Sequence, residues 1–433
     1  MPKKIIGKIA KIIALILGVF AFAVLAAAIS YYAAGWRLDF SNLKPYRIGV
    51  ITLQTNPPDA TVYVNNTKVY QKTPTDIRDI KPGEYEIKIE KENYLTWQKK
   101  VKVSSGMVTR LENILLFLKD TKPEVAIEEK VDFAFANPNR SALAFVTSEE
   151  ENAGVWLYDY SSRQQAKLFP LLAKHLENKY EIQKIFWSQN SDAILVVSRV
   201  ADAIFGHLIS VQNPKDLLEF SLPDIPQQSL LDFAKKQAYL IIQDKLFLFT
   251  ASESNLILNN VSQIFSQDQK IFALQSQEKG TIISSYEINE QKASLVLESP
   301  RKLKFLSQKT PFLADEKDNL FYLKENKLIP LEIDAKYILD NQDTLASDGF
   351  LLYLISLEDK PQTKLLATLS DEFTPLWEID KNHFLLQDKE GIFAIYFDGT
   401  NKNYLLKGEA QFLGLKDKEM LYFDGQIKSV KIR

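Results

Sequence analysis

The sequence predicts an all-β chain carried on one apolar N-terminal helix, and three observations predict it. An uncharged run opens the chain, period-two alternation fills the next seventy residues, and a degenerate repeat of about 40 residues occupies the rest. The chain has 433 residues, 46% of them hydrophobic and 25% charged, a globular composition. Its 53 basic and 55 acidic side chains nearly cancel, so no broad attraction to nucleic acid follows. No cysteine is present, which removes disulfides, thiolate metal sites, a cysteine nucleophile and a lipidated cysteine.

The first element is residues 12–34, which contain no charged side chain. As a helix this run spans roughly 34 Å, enough to cross a hydrocarbon core of about 30 Å. Lys3, Lys4, Lys8 and Lys11 precede it as a basic tail over 1–11, with no acidic residue among them. Tyr31, Tyr32 and Trp36 stand at its far end, where amphipathic rings favour a membrane interface. The expected arrangement is a single-pass span through the lipid bilayer, with the N-terminus cytoplasmic and the later domains extracytoplasmic. Arg37, Lys44 and Arg47 just beyond the span narrow the charge asymmetry. A cleaved signal peptide is the rival, because Ala26-Ala27-Ala28 offers small residues to a peptidase. The retained anchor is favoured because the apolar run continues past that site into the aromatic belt.

From Ile48 to Leu118 the pattern alternates. Ala60, Val62 and Val64 face opposite Thr61, Tyr63 and Asn65, and Tyr85, Ile87 and Ile89 alternate with Glu84, Glu86, Lys88 and Glu90. Turn chemistry at Asn56-Pro57-Pro58-Asp59, Asn65-Asn66 and Lys81-Pro82-Gly83 separates the runs. A compact antiparallel sandwich is expected. The stretch from Ile51 to Asn65, with Thr73-Pro74, Pro82-Gly83-Glu84-Tyr85, Asn93-Tyr94 and Val101-Lys102-Val103 in order, resembles the PEGA domain family. Asp59 replaces that family's signature glycine, and Asn93 replaces the glycine before its aromatic residue. The resemblance implies an envelope-associated β-sandwich, typical of prokaryotes, without catalytic residues.

Residues 119–130 are charge-dense and read as a linker. The repeat follows over 131–433. Each unit opens on an apolar anchor, passes about five polar residues and enters an apolar strand. The anchors are Phe135, Trp187, Phe233, Phe265, Phe305, Ile338, Trp377 and Phe412. Their spacing of about 40 residues is that of a four-stranded propeller blade. Eight blades are favoured, with seven as the alternative. The eighth unit lacks a fourth strand, and Glu124-Val125-Ala126-Ile127-Glu128 is a strand-like run that could close the ring and cover the open edge. The anchor turns resemble the Trp-Ser-Pro-Asp-Gly turn of TolB-like and WD40-like propellers, best at Trp187-Ser188-Gln189-Asn190-Ser191, with Pro138 standing for the proline in the first unit.

No phosphate loop, dinucleotide fingerprint, nucleophile elbow or His-Glu-x-x-His motif occurs, and no hydrolase domain follows the last repeat. The expected catalytic, metal and cofactor residues are therefore none, and the ligand-binding residues are unknown. His175, His207 and His383 lie far apart, which argues against a histidine metal cluster, and His207 and His383 read as structural. Asp315-Glu316-Lys317-Asp318-Asn319 has some character of a calcium loop but lacks its glycine and terminal glutamate, and reads as a solvated hairpin turn. Trp156, Trp187 and Trp377 could stack on sugar rings but read first as blade packing. The functional expectation is a non-enzymatic, membrane-anchored binding or scaffold protein of the cell envelope. Its partner would be an envelope protein or polysaccharide. Two alternatives stand beside it: a carbohydrate-active enzyme using carboxylates around the propeller channel, and a sensor that signals through another protein.

Overall fold

The computed structural model describes residues 2–39, 44–148, 152–170, 181–340, 343–357 and 361–433, with the side chains of 2–12 excluded. It divides into two compact units, Met1–Asp120 and Thr121–Arg433.

The first unit opens with helix α1 (Pro2–Ala33). Its apolar stretch Ile13–Ala33 has a mean hydropathy of 2.7 and buries none of its surface within the protein. By length and composition it could cross a membrane. Gly35 ends it at φ +83°, the left-handed conformation that closes helices. Two arginines then cap the orphan carbonyls of the last turn. Arg37 donates from Nη1 to Tyr32 O at 2.9 Å and stacks over the Tyr32 ring, while Arg47 donates from Nε to Ala34 O at 3.0 Å. Strands β1 (Trp36–Asp39) and β2 (Lys44–Arg47) pair as an antiparallel ribbon just after the helix.

The sandwich follows as β3 (Gly49–Asn56), β4 (Thr61–Val64), β5 (Thr67–Lys72), β6 (Thr75–Ile80), β7 (Gly83–Glu90), β8 (Trp97–Val103) and β9 (Val108–Leu115). One sheet has the order β6-β3-β9 and the other β5-β4-β7-β8. Ile51, Leu53, Val62, Ile87, Ile89, Trp97 and Ile114 meet between them in a single core. The expectation of a wholly antiparallel sandwich is corrected at one pair, since β9 runs parallel to β3. After β8 the chain changes sheets, and that crossing returns it in the direction of β3. Asp59 and Asn93 adopt φ +62° and +66°, so both occupy the left-handed region that the glycines they replace would favour. Asn65 and Asn66, also at positive φ, form the two-residue turn between β4 and β5.

The second unit is a β-propeller of eight four-stranded sheets among the described residues. Blades 1–7 are consecutive in sequence, each with its strands in chain order. Their first strands are Phe133–Ala136, Glu181–Trp187, Gln228–Asp232, Val261–Gln267, Lys304–Phe305, Tyr337–Asp340 and Thr374–Asp380. Blade 8 contains Gln411–Lys416, Glu419–Phe423 and Ile427–Lys431. Its fourth strand is β10 (Glu124–Val125), antiparallel to Ile427–Lys431 with Glu124 opposite Ser429 and Val125 opposite Lys428. Second strands such as Ala142–Thr147 and Ala193–Val200 are apolar and almost wholly buried, because each sheet is packed between two others. The seam between blades 8 and 1 is filled by Ile127, Val131, Phe145, Leu413, Leu421 and Ile427.

Candidate functional site: the propeller channel

The site begins with the turn that ends each first strand. In blade 2, Ser188 Oγ accepts from the amides of Asp192 and Ala193, each at 3.0 Å, and Ser191 takes φ +62°. In blade 1, Asn137 Oδ1 accepts from the amides of Ser141 and Ala142 in the same way, with Arg140 at φ +56°. The two turns are therefore equivalent with Asn137 on Ser188 and Arg140 on Ser191. The tryptophan position of the motif is then Ala136 in blade 1, which corrects the anchor at Phe135 by one residue. A capped turn with its own side-chain acceptor tolerates loss of the anchor ring.

Gln189 stands where the motif has proline. Its amide reaches two other blades, donating from Nε2 to Gln308 O at 2.9 Å and accepting at Oε1 from Ser266 Oγ at 3.1 Å. These bonds tie blades 2, 4 and 5 beside a central cavity of about 530 Å³. Six of the eight blades line it.

The lining is cationic. Arg140 donates from Nη1 to Phe412 O at 3.2 Å and Leu413 O at 3.1 Å. Lys184 donates to Pro226 O and Gln227 O, each at 3.2 Å, and its ammonium lies 4.7 Å from the Phe186 ring centre. Lys309 donates to Asp340 O at 3.2 Å. Burial lowers the pKa of both Arg140 and Lys184. Asp340 is the one carboxylate among the described lining residues. It accepts from Ser307 Oγ, and from Thr344 Oγ1 at 3.1 Å. An acid-catalysed channel would need at least two free carboxylates facing one bond, and this lining does not bring them together.

The residues singled out from the sequence are distributed as follows. Trp187 and Trp377 line the channel, half-buried, with the Trp187 indole N–H donating to Phe135 O at 3.0 Å. Trp156 lies outside it, stacked on Phe145. His207 is fully buried in blade 2, 2.8 Å from Ser198 Oγ through Nε2 and 3.2 Å from Glu219 Oε2 through Nδ1. The contact with Glu219 is an ion-pair distance without hydrogen-bond alignment. This serine–histidine–carboxylate set does not reach a cavity, since Ser198 is buried as well and Phe169 covers the imidazole at 4.4 Å. His383 is buried beside Asp380 at 2.9 Å. His175 lies outside the described residues. The Asp315–Asn319 turn joins two strands of blade 5, with Glu316 and Lys317 exposed at its tip and Asp315 turned inward. Asp315 is buried, and its carboxylate accepts from Asn319, the Lys317 amide and Arg301. Burial opposes ionisation of Asp315, and these bonds outweigh it, so its pKa is lowered. Among the described residues no cluster of His, Asp or Glu is arranged to hold a metal ion.

The sequence profile of the PEGA domain family matches residues 48–115. No curated protein matches the chain. Among solved structures, the C-terminal WD40 domain of Sif2 aligns over 72% of this chain and 98% of its own, at 13% identity and a TM-score of 0.47. Dipeptidyl peptidase 4 of Porphyromonas gingivalis aligns over 69% of this chain and 56% of its own, at 12% identity and a TM-score of 0.43. An oligogalacturonate lyase in complex with manganese aligns over 73% of this chain and 96% of its own, at 8% identity and a TM-score of 0.44. The propeller itself is established by its sheet order. The chain thus joins an apolar N-terminal helix, a PEGA-like sandwich and an eight-sheet propeller.

Proposed function

We propose that this is a membrane-anchored, extracytoplasmic binding protein of the cell envelope, and that its propeller receives an envelope protein or cell-wall polymer at the central channel. Helix α1 serves as a retained anchor, with the N-terminus cytoplasmic, and the PEGA-like sandwich acts as a spacer next to the bilayer. The observation that carries the binding role is the lining of the channel. It gathers tryptophan faces, amides and cations from six blades into one cavity. The reading as a carbohydrate-active enzyme finds one lining carboxylate, Asp340, already engaged by two hydroxyls.

A photo-crosslinking residue in place of Gln308 tests this reading in native membranes with the full chain. Gln308 is exposed at the channel, and its known bond uses only the main chain. The expected result is a crosslinked partner from position 308 and none from Leu295 on an outer strand, which is 60% exposed. Equal capture from both positions, or capture from 295 alone, contradicts a channel-centred role.

A further inference from the structure

We propose that the propeller channel is a site for an oxyanion, a carboxylate or phosphate group carried by the ligand. This rests on the reading of the channel as the binding surface and specifies its chemistry.

The argument is one of charge balance. Arg140, Lys184 and Lys309 enter the channel from blades 1, 2 and 5. Among the described residues none of them makes an ion pair: each donates to main-chain carbonyls of a neighbouring segment. Lys309 even bonds the carbonyl of Asp340 rather than its carboxylate, which Ser307 and Thr344 occupy. Three cations against one carboxylate leave the described lining with an excess of two positive charges.

Elsewhere in the propeller several cations face a carboxylate directly. Lys402 pairs with Asp388 at 2.7 Å, Arg301 with Asp315 at 2.6 Å and Arg163 with Glu419 at 2.5 Å. Carbonyl acceptors orient a cation without neutralising it, and a cavity with low-dielectric walls concentrates the remaining field on whatever enters. Donor capacity also remains. Lys184 has a third N–H, and the Nε and Nη2 groups of Arg140 have no acceptor among the described residues. An anion would complete both, and charge-assisted bonds of this kind are the strong ones. Desolvation already weighs against the protonated forms of Arg140 and Lys184, so a bound anion would relieve an existing cost.

Titration calorimetry of the full chain in detergent tests the proposal with three probes: sodium phosphate, glucuronate and glucose. Glucuronate and glucose share a ring and differ in the carboxylate, so the pair isolates charge. One phosphate or glucuronate should bind per chain, more weakly as salt rises, while glucose should not bind. Preference between the two anions identifies the group. Lys184→Gln should weaken binding about tenfold or more, as expected for loss of one charge-assisted bond. Lys309→Gln, on an exposed connection that is not part of a strand, should weaken it as well without lowering the melting temperature. Failure of both anions to bind, equal binding of glucose, or unchanged affinity in a folded Lys309→Gln variant overturns the proposal. Capture of a partner at position 308 alongside such a failure would leave the channel-binding role standing and remove only its anionic character.

Discussion

At the residue scale, His207 is a titratable side chain held wholly out of water. It is fully buried, and desolvation lowers its pKa from 6.5 to about 4. The unfolded chain takes up a proton on this imidazole below pH ~6.5, and the folded chain does so only near pH ~4. Stability is therefore complete above the unfolded value and is lost as pH falls toward the folded one. Between about pH 7.5 and 5.5 this site should remove about 1 kcal/mol. Urea unfolding of the wild type and a His207→Gln variant at both pH values measures it, and the variant should lose less stability than the wild type. Identical pH dependence would mean that the folded imidazole titrates like the unfolded one, so that burial does not lower its pKa. The sequence marks His207 as structural but gives no sign of its partners, because Ser198 and Glu219 meet it only through strand register. Gln189 is similar. A proline position held by glutamine is visible in the sequence, yet the reach of its amide to blades 4 and 5 exists only once the ring is formed.

At the element scale, two glycines begin third strands where the fourth strand passes too close for a side chain. A Cβ on Gly280 would lie 2.1 Å from Ser299 O, and one on Gly391 would lie 2.1 Å from Leu406 O. Both also have φ values that L-residues rarely adopt, +118° and +146°. Gly391→Ala should therefore cost about 3 kcal/mol. Gly408→Ala provides the comparison, since Gly408 has φ +95° but open space around it, and should cost about 1 kcal/mol. Thermal unfolding compares them, and equal losses would show that the close approach contributes nothing. The closing strand is the second element-scale case. The Ala126 amide donates to Ile427 O at 3.0 Å, and Ile127 is fully buried in the seam. Ala126→Pro removes that donor and should cost a few kcal/mol, on the order of a lost bond plus strained pairing. The 119–433 segment should likewise unfold at a higher temperature than 131–433, and equal stability would show that the ring closes without β10.

The repeat is legible because its signals are local. Apolar anchors fall on or beside the first strands of all eight sheets, and segments such as Lys245–Phe249 and Asn319–Lys324 are third strands as the pattern expects. The parallel β3–β9 pair is not legible, because alternation reports which face is buried and not strand direction. The channel lining is not legible for the same reason. Lys184 follows polar Gln183 at the edge of an apolar run, like many surface lysines, and only closure of the ring places it at the channel.

At the scale of the whole molecule, the apolar helix has no partner within its own unit, and its last turn is capped by Arg37 and Arg47. Those two charges narrow the asymmetry across the span in the sequence, and in the structure both have a local role at the helix terminus. The central claim is that this helix stays attached and holds everything beyond it outside the cytoplasm. Protease treatment of cells with any outer barrier permeabilised, followed by carbonate extraction of the membranes, tests it most directly. The expected result is that the untreated full-length chain resists extraction and that protease degrades nearly everything after Arg37. Release of a soluble mature form beginning near Ile29, or protection of the sandwich and propeller from protease, would contradict it.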